Sequence, residues 1–240
     1  MKNSYNQINS KKDDLYYKMM IIGSKCVGKT QILKRFCKEK FEEKYNPTFG
    51  MDFRVQKYFF ENITTTVQII EVSGNNAPPH ELLKDYLLDA DGFLCVYDIS
   101  RRESVNELNN LISDYERIMG TDNNNNNNNI NNNNNNNNKQ CWYFIGNKCD
   151  IVNRECPSNP ADIFDYTPLG TIGFIEISAK NNKFIDNMFN NVIFQIKNNK
   201  RKAKNNTQII NSNKLPTIKT KIENKQLIDT KETKSHCHIF

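Results

Sequence analysis

The chain is 240 residues long, with 33 Lys+Arg against 27 Asp+Glu, a formal net charge of +6 and 37% hydrophobic residues. Eleven of the basic residues and three of the acidic ones fall within 197–240, so that segment carries +8 and everything before it sums to −2. This excludes a basic globular domain that grips nucleic acid, and it leaves a basic tail to be explained.

Taken in chain order, residues 1–14 read as a flexible polar extension, and 16–22 form a short apolar run that stops at Gly23. Residues 29–40 follow with Ile32, Leu33 and Phe36 on one helical face, so a strand, a glycine loop and a helix succeed one another. The β-rich runs at 52–60 and 64–72, separated by Glu61 and Asn62, predict an antiparallel hairpin. Three further strands are expected at 92–99, 141–147 and 173–178, each too apolar for a sheet with one wet face. Helices are predicted at 81–88, 102–119 and 181–197, the last carrying a core stripe that includes Phe184, Met188, Phe189 and Ile196. The alternation predicts an α/β fold over 15–200, a six-stranded, mostly parallel open sheet with helices on both faces. Within 121–139, positions 123–138 are Asn except for Ile130. Such a tract cannot bury apolar area and reads as a disordered surface insert, either passive or self-associating. Prolines at 157, 160 and 168 argue against a regular helix over 156–170, and 201–240 reads as a flexible basic tail.

No apolar run approaches the roughly 20 residues of a spanning helix, and the first residues lack a signal peptide's apolar stretch. The expectation is a chain kept in the cytosol unless something is added to it. The seven cysteines (26, 37, 95, 141, 149, 156 and 237) are odd in number and form no Cys-x-x-Cys pair, which fits a reducing compartment without a structural metal site.

In open α/β sheets ligands bind beyond the carboxyl ends of the strands, so the loops there carry the chemistry. Gly23, Ser24, Lys25, Cys26, Val27, Gly28, Lys29 and Thr30 match the phosphate-binding pattern G-x-x-x-x-G-K-[ST], between a strand and a helix as its mechanism demands. Backbone N–H groups and the helix dipole would surround phosphates, Lys29 would reach the β- and γ-phosphates, and the Thr30 hydroxyl would ligate Mg²⁺. Asn147, Lys148, Cys149 and Asp150 close the fifth strand in an N-K-x-D pattern, and Ser178, Ala179 and Lys180 close the sixth. A carboxylate at Asp150 can accept from both N1–H and the exocyclic amine of guanine. Adenine has no such donor pair, so the wrong base leaves buried groups unpaired.

Together these motifs resemble the Ras superfamily of small GTPases over roughly residues 16–200, and the fold implied is the P-loop G domain. The segments Gly92-Phe-Leu-Cys-Val-Tyr and Tyr45-Asn-Pro-Thr48 are similar to the Ras branch, while Thr48-Phe-Gly-Met-Asp-Phe is also similar to Rab proteins. The resemblance implies that Thr48 contacts Mg²⁺ and the γ-phosphate. The effector segment would comprise Tyr45, Asn46, Pro47, Thr48, Phe49, Gly50, Met51, Asp52 and Phe53. It also implies that Phe41 stacks on guanine, although packing at a helix end is the alternative for that ring. Asn147 would brace the phosphate loop, and Lys148 would lie along the base.

Where the family has D-T-A-G-Q, this chain has Glu71, Val72, Ser73, Gly74 and Asn75. Gly74 can still offer its N–H to the γ-phosphate, and Glu71 can still face Mg²⁺ through a water. Asn75, in the place of the glutamine that orients the attacking water, falls about 1.3 Å short, where a 1 Å misplacement can cost on the order of 10²-fold. Lys25 stands where Ras has glycine and crowds the approach of an arginine finger; its ammonium either replaces that finger in cis or points to solvent. Pro78 and Pro79 should stiffen the segment and start its helix near Pro79. The last four residues, Cys237-His238-Ile239-Phe240, fit C-a-a-X. The resemblance then implies prenylation of Cys237, loss of the last three residues and carboxyl methylation, with the basic tail on the cytoplasmic side of a membrane, most simply the plasma membrane.

The sequence therefore reads as a monomeric GTP/GDP switch that binds Mg²⁺ and hydrolyses GTP slowly, with Lys29 and Asn75 as catalytic residues. Its partners would be effectors, an exchange factor and a GTPase-activating protein. A hydrolysis-deficient nucleotide-binding scaffold is the second reading; a P-loop kinase or ATPase has no role for the N-K-x-D residues.

Overall fold

A computed structural model describes residues 15–44, 46–60, 63–120, 140–158, 163–164 and 167–212. Tyr45, the Asn-rich insert, the N-terminal extension and Cys237 lie outside the described residues. The elements in order are β1 (Leu15–Ile22), α1 (Lys29–Phe36), β2 (Met51–Phe60), β3 (Ile63–Val72), α2 (His80–Asp89), β4 (Gly92–Asp98), α3 (Glu103–Gly120), β5 (Cys141–Asn147), β6 (Thr171–Glu176) and α4 (Ile185–Ser212).

The six strands lie in the order β2-β3-β1-β4-β5-β6, with β2 antiparallel to β3 and every other neighbour parallel. The hairpin register runs from Met51 opposite Val72 to Phe60 opposite Ile63. β1 lies between β3 on one side and β4 on the other, so the strand order reverses at β1, and a crevice opens beyond its carboxyl end. Every residue of β4 and β5 is buried, as a strand covered on both faces requires. One face is filled by α1 and α4, where the rings of Phe36 and Phe189 stand 4.1 Å apart. The other is filled by α2, α3 and Cys156, Ile163 and Phe164, with Phe93 stacked on Trp142 at 4.2 Å. None of the described residues between 156 and 170 is helical, and Cys156, Ile163 and Phe164 among them supply core side chains.

Several boundaries move. α1 stops at Phe36, short of residue 40, because Cys37 caps it by bonding Leu33 O and Lys38 turns to a positive φ of 61°. β6 starts at Thr171 and ends at Glu176, so Ser178 lies beyond the strand in a short bridge with Lys183. α4 begins at Ile185 rather than 181, since Asn182 and Phe184 adopt positive φ values of 53° and 62° that no helix tolerates. It then continues through 201–212, residues assigned to the tail on sequence; the apolar stripe ends at Ile196, but Lys, Arg and Ala follow without a Gly or Pro until Pro216. No helix among the described residues is long and apolar enough to cross a membrane.

Candidate functional site

A cleft of about 770 Å³ opens at the carboxyl ends of the strands, bordered by the loops after β1, β3, β5 and β6 and by the segment before β2. The loop after β1 has an unusual backbone: Gly23, Cys26 and Gly28 have φ values of 145°, 62° and 98°. A Cβ on Gly23 would lie 2.2 Å from Val96 O and one on Gly28 2.3 Å from Asn147 Nδ2, so both positions admit only glycine.

The loop carbonyls have donors of their own. Lys29 Nζ donates to Gly23 O (2.7 Å) and Ser24 O (2.9 Å), and Asn147 Nδ2 donates to Val27 O (2.8 Å). Arg101 donates to Lys25 O at 3.2 Å, and Ile32 N–H to Gly28 O at 3.0 Å. A trans peptide sets its C=O and N–H on opposite sides, so each tied carbonyl fixes the direction of the N–H group that follows it. The result is an anion cradle at the N-terminus of α1. Lys29 is buried, and loss of hydration lowers its pKa to about 8 against the opposing pull of the Glu71 charge. A buried ammonium held by two carbonyls favours an incoming anion.

Below the cradle three oxygen-bearing side chains converge. Thr30 Oγ1 donates to Glu71 Oε1 at 2.5 Å, Thr48 Oγ1 lies 3.3 Å from Thr30 Oγ1, and Thr48 donates to Glu71 Oε1 at 3.4 Å. Glu71 is buried, its pKa is raised mainly by desolvation, and its Oε2 has no hydrogen-bond partner. A hard-oxygen set with one carboxylate and an orphaned buried oxygen fits Mg²⁺, which commonly completes its shell with water and phosphate oxygens.

The far end of the cleft joins the loops after β4, β5 and β6. Asn147 is buried and bridges the loop after β1 to the loop after β6, giving Nδ2 to Val27 O and accepting Ala179 N–H at 3.1 Å on Oδ1. Ser178 Oγ donates to Asp150 Oδ1 at 2.5 Å and accepts Asn181 N–H at 3.0 Å, which orients the Asp150 carboxylate and leaves Oδ2 for a ligand. Lys148, at a φ of 69°, donates to Asp98 Oδ2 at 2.6 Å. Arg35 holds the carbonyls of Ala179 (2.8 Å) and Lys180 (2.7 Å), and the Phe41 ring lies 5.8 Å from its guanidinium on the cleft wall. Phe41 thus has a contact with α1 and a face on the cleft.

The segments before β2 and after β3 are stitched together. Gly50 N–H donates to Asn76 O at 3.1 Å, Ser73 N–H to Gly50 O at 2.9 Å, and Ser73 Oγ to Thr48 O at 2.8 Å. A Cβ on Gly74 would meet Lys25 N and Ser24 C at 2.4 Å, so this glycine rests directly on the phosphate loop. Asn75 lines the cleft and is exposed, while Lys25 is exposed at its rim. Asn46, Pro47 and Phe49 are exposed, Thr48 and Gly50 half-buried, and Met51, Asp52 and Phe53 open β2, with Phe53 against Tyr86. α2 begins at His80 with Pro79 as its cap, close to the expected start.

The structure therefore brings together Gly23–Thr30, Phe41, Thr48, Glu71, Gly74, Asn75, Asn147, Lys148, Asp150 and Ser178–Lys180 around one cleft. Sequence reasoning missed three residues: Asp98, which holds Lys148, Arg101, which holds the phosphate loop, and Ser73, which ties two loops. For Asp98 a signal existed, a carboxylate closing an apolar strand; Arg101 and Ser73 left none.

The profile of the Ras family matches residues 18–198. The Ras-like protein rasB of Dictyostelium discoideum is 28% identical over 183 residues, covering 75% of this chain and 82% of that protein. The Ras-related protein RIC1 of Oryza sativa subsp. japonica is 27% identical over 185 residues, covering 77% and 82%. With its P-loop α/β fold and with three quarters of its length matched, the chain belongs to the Ras family of small GTPases.

Proposed function

We propose that this chain is a guanine-nucleotide switch that binds Mg²⁺·GTP and GDP and hydrolyses GTP slowly. The observation that carries the reading is the arrangement of the cradle: tied carbonyls, a buried Lys29 ammonium and a buried Glu71 carboxylate with one orphaned oxygen, Lys29 and Glu71 both lining the one cleft. In this reading Lys29 lies against the β- and γ-phosphates, and the inward N–H groups of the loop hold the rest of the polyphosphate. Thr30, Thr48 and Glu71 are the residues that would hold Mg²⁺, which when bound neutralises charge developing between the β- and γ-phosphates. Asp150 accepts from guanine N1–H and N2–H, with one of its oxygens already held by Ser178. Phe41 stacks on the base and Lys148 lines its other face. Gly74 offers its N–H to the γ-phosphate, so that loss of this group releases the Thr48–Ser73 stitching and switches the surface that effectors read.

Hydrolysis is attack of water on the γ-phosphorus in line with the bridging oxygen to the β-phosphate, whose bond to phosphorus breaks to give GDP and phosphate. Asn75 carries the amide that positions that water, and its short reach makes the step slow. Asn75 and Lys25 together favour a second reading, a nucleotide-binding scaffold without useful turnover. To separate the two, nucleotide released from the purified full chain is identified and one turnover of bound GTP is followed. The expected results are a guanine nucleotide and GDP forming over minutes to hours; no GDP over hours leaves the scaffold, and an adenine nucleotide alone sinks the base assignment.

The chain's partners in this reading are effectors at residues 45–53, an exchange factor and a GTPase-activating protein. Its place is the cytoplasmic side of a membrane, reached by prenylation of Cys237.

A further inference from the structure

The carbonyls of the phosphate loop differ in what holds them. Those of Gly23 and Ser24 are held by the loop's own Lys29, that of Gly28 by the first turn of α1, and that of Val27 by Asn147. The Lys25 carbonyl is held from outside, by Arg101 in the turn between β4 and α3. That turn is itself fixed. Arg101 N–H donates to Asp98 O at 3.0 Å, and Arg101 O accepts Ser104 Oγ at 2.6 Å and Ser104 N–H at 3.0 Å. One guanidinium nitrogen reaches Lys25 O (3.2 Å), Ser24 Oγ (3.1 Å) and, further along α3, Glu107 Oε2 (3.2 Å). The side chain is 31% exposed, and Glu107 supplies a counter-charge that aims it.

Lys25 O and Cys26 N–H belong to one peptide plane, and Cys26 stands at a φ of 62° that an L side chain seldom adopts. An unstrained alternative for this peptide is a flip, which would turn a carbonyl instead of an N–H toward the phosphates. We infer that Arg101 is a positioning residue of the nucleotide site, a strap from α3 that keeps the Lys25–Cys26 peptide with its N–H inside the cradle. Arg101 does not line the cleft, so it acts through the backbone and not by touching the phosphates. The inference rests on the nucleotide reading above and deepens it.

The test uses the full chain and two variants. Arg101→Met keeps the aliphatic stem and removes every donor, while Arg101→Lys restores one cationic donor. Release of a fluorescent GDP into excess unlabelled GDP is measured for each, together with the ³¹P spectrum of bound GDP and the preference for GDP over ADP. Arg101→Met is expected to release GDP about tenfold faster, the scale of losing one charge-assisted hydrogen bond. It should also shift the β-phosphate resonance and leave the guanine preference unchanged; Arg101→Lys should recover part of both effects. Release within twofold of the original, with an unshifted resonance, overturns the inference. So does an equal acceleration in both variants with a loss of guanine preference, which would mean general loosening of the site. Should Arg101→Met fail to fold, release from Arg101→Lys alone decides, expected at a few times the original rate and overturning the inference if equal to it. If the unaltered chain carries no guanine nucleotide, the function reading fails first, and that result is read without either variant.

Discussion

Gly74 and Asn75 are neighbours on the loop after β3, under opposite constraints. A Cβ on Gly74 would run into the backbone of Ser24 and Lys25 at 2.4 Å, whereas the Asn75 side chain is exposed and free to be lengthened. Asn75→Gln is therefore expected to leave stability within about 0.5 kcal/mol of the original, as surface changes usually do. It should raise the single-turnover rate of GTP hydrolysis by on the order of 10- to 100-fold by restoring reach to the attacking water. Phosphate release from preloaded protein checks this, and an unchanged rate assigns the slow step to Lys25 or Glu71 instead. At this scale the sequence exposes whatever local spacing encodes: Lys29, Thr30, Asn147 and Asp150 stand at fixed offsets in loops whose mechanism dictates them. Arg101 reaches its partner across 76 positions with no local pattern to mark it, and Asp98, 50 positions from Lys148, shows in the sequence only as a carboxylate closing an apolar strand.

Among elements, β4 and β5 were legible because burial on both faces leaves nearly unbroken apolar runs. The ends of α1, β6 and α4 were not, because they depend on single residues at positive φ and on loop hydrogen bonds, which leave no periodicity. The core stripe of the last helix was read correctly from Ile185 to Ile196, but Phe184, assigned to it on sequence, precedes the helix at a positive φ and is 48% exposed. Phe189 is fully buried, and its ring lies 4.1 Å from that of Phe36 on α1, the helix whose first turn carries Lys29 and Thr30. Phe189→Ala should cost about 3–5 kcal/mol through lost transfer energy and the cavity left behind. Urea unfolding of the GDP-bound protein measures it; a loss below about 1 kcal/mol would mean that α1 and α4 are not locked by this contact.

At the scale of the molecule, the charge that opens the sequence divides differently once α4 is seen. Five of the eleven basic residues of the 197–240 segment, Lys197, Lys200, Arg201, Lys202 and Lys204, lie on the helix. Lys200 is engaged there, with Asp91 at 2.7 Å and the Tyr17 ring at 5.2 Å. Beyond Ser212 six basic residues face three acidic ones, a surplus of only +3. At roughly 1 kcal/mol per basic residue on an anionic membrane, such a surplus gives marginal attachment, and a single lipid alone is marginal too. The two would have to act together. Cys237→Ser is accordingly expected to move the protein from the membrane to the soluble fraction of cells, and a variant that stays on membranes refutes lipid anchoring at that residue.

Five carbonyls of the phosphate loop, those of Gly23, Ser24, Lys25, Val27 and Gly28, are tied by the protein's own donors. Ordering a backbone costs about 1–2 kcal/mol per residue, and here two of the tethers that hold it ordered, Arg101 and Asn147, come from the turn before α3 and the end of β5. A partner that eases nucleotide out need never touch it: a small displacement at the base of α3, where Arg101 is rooted, or at the loop that carries Asn147, would unfasten the mould from behind.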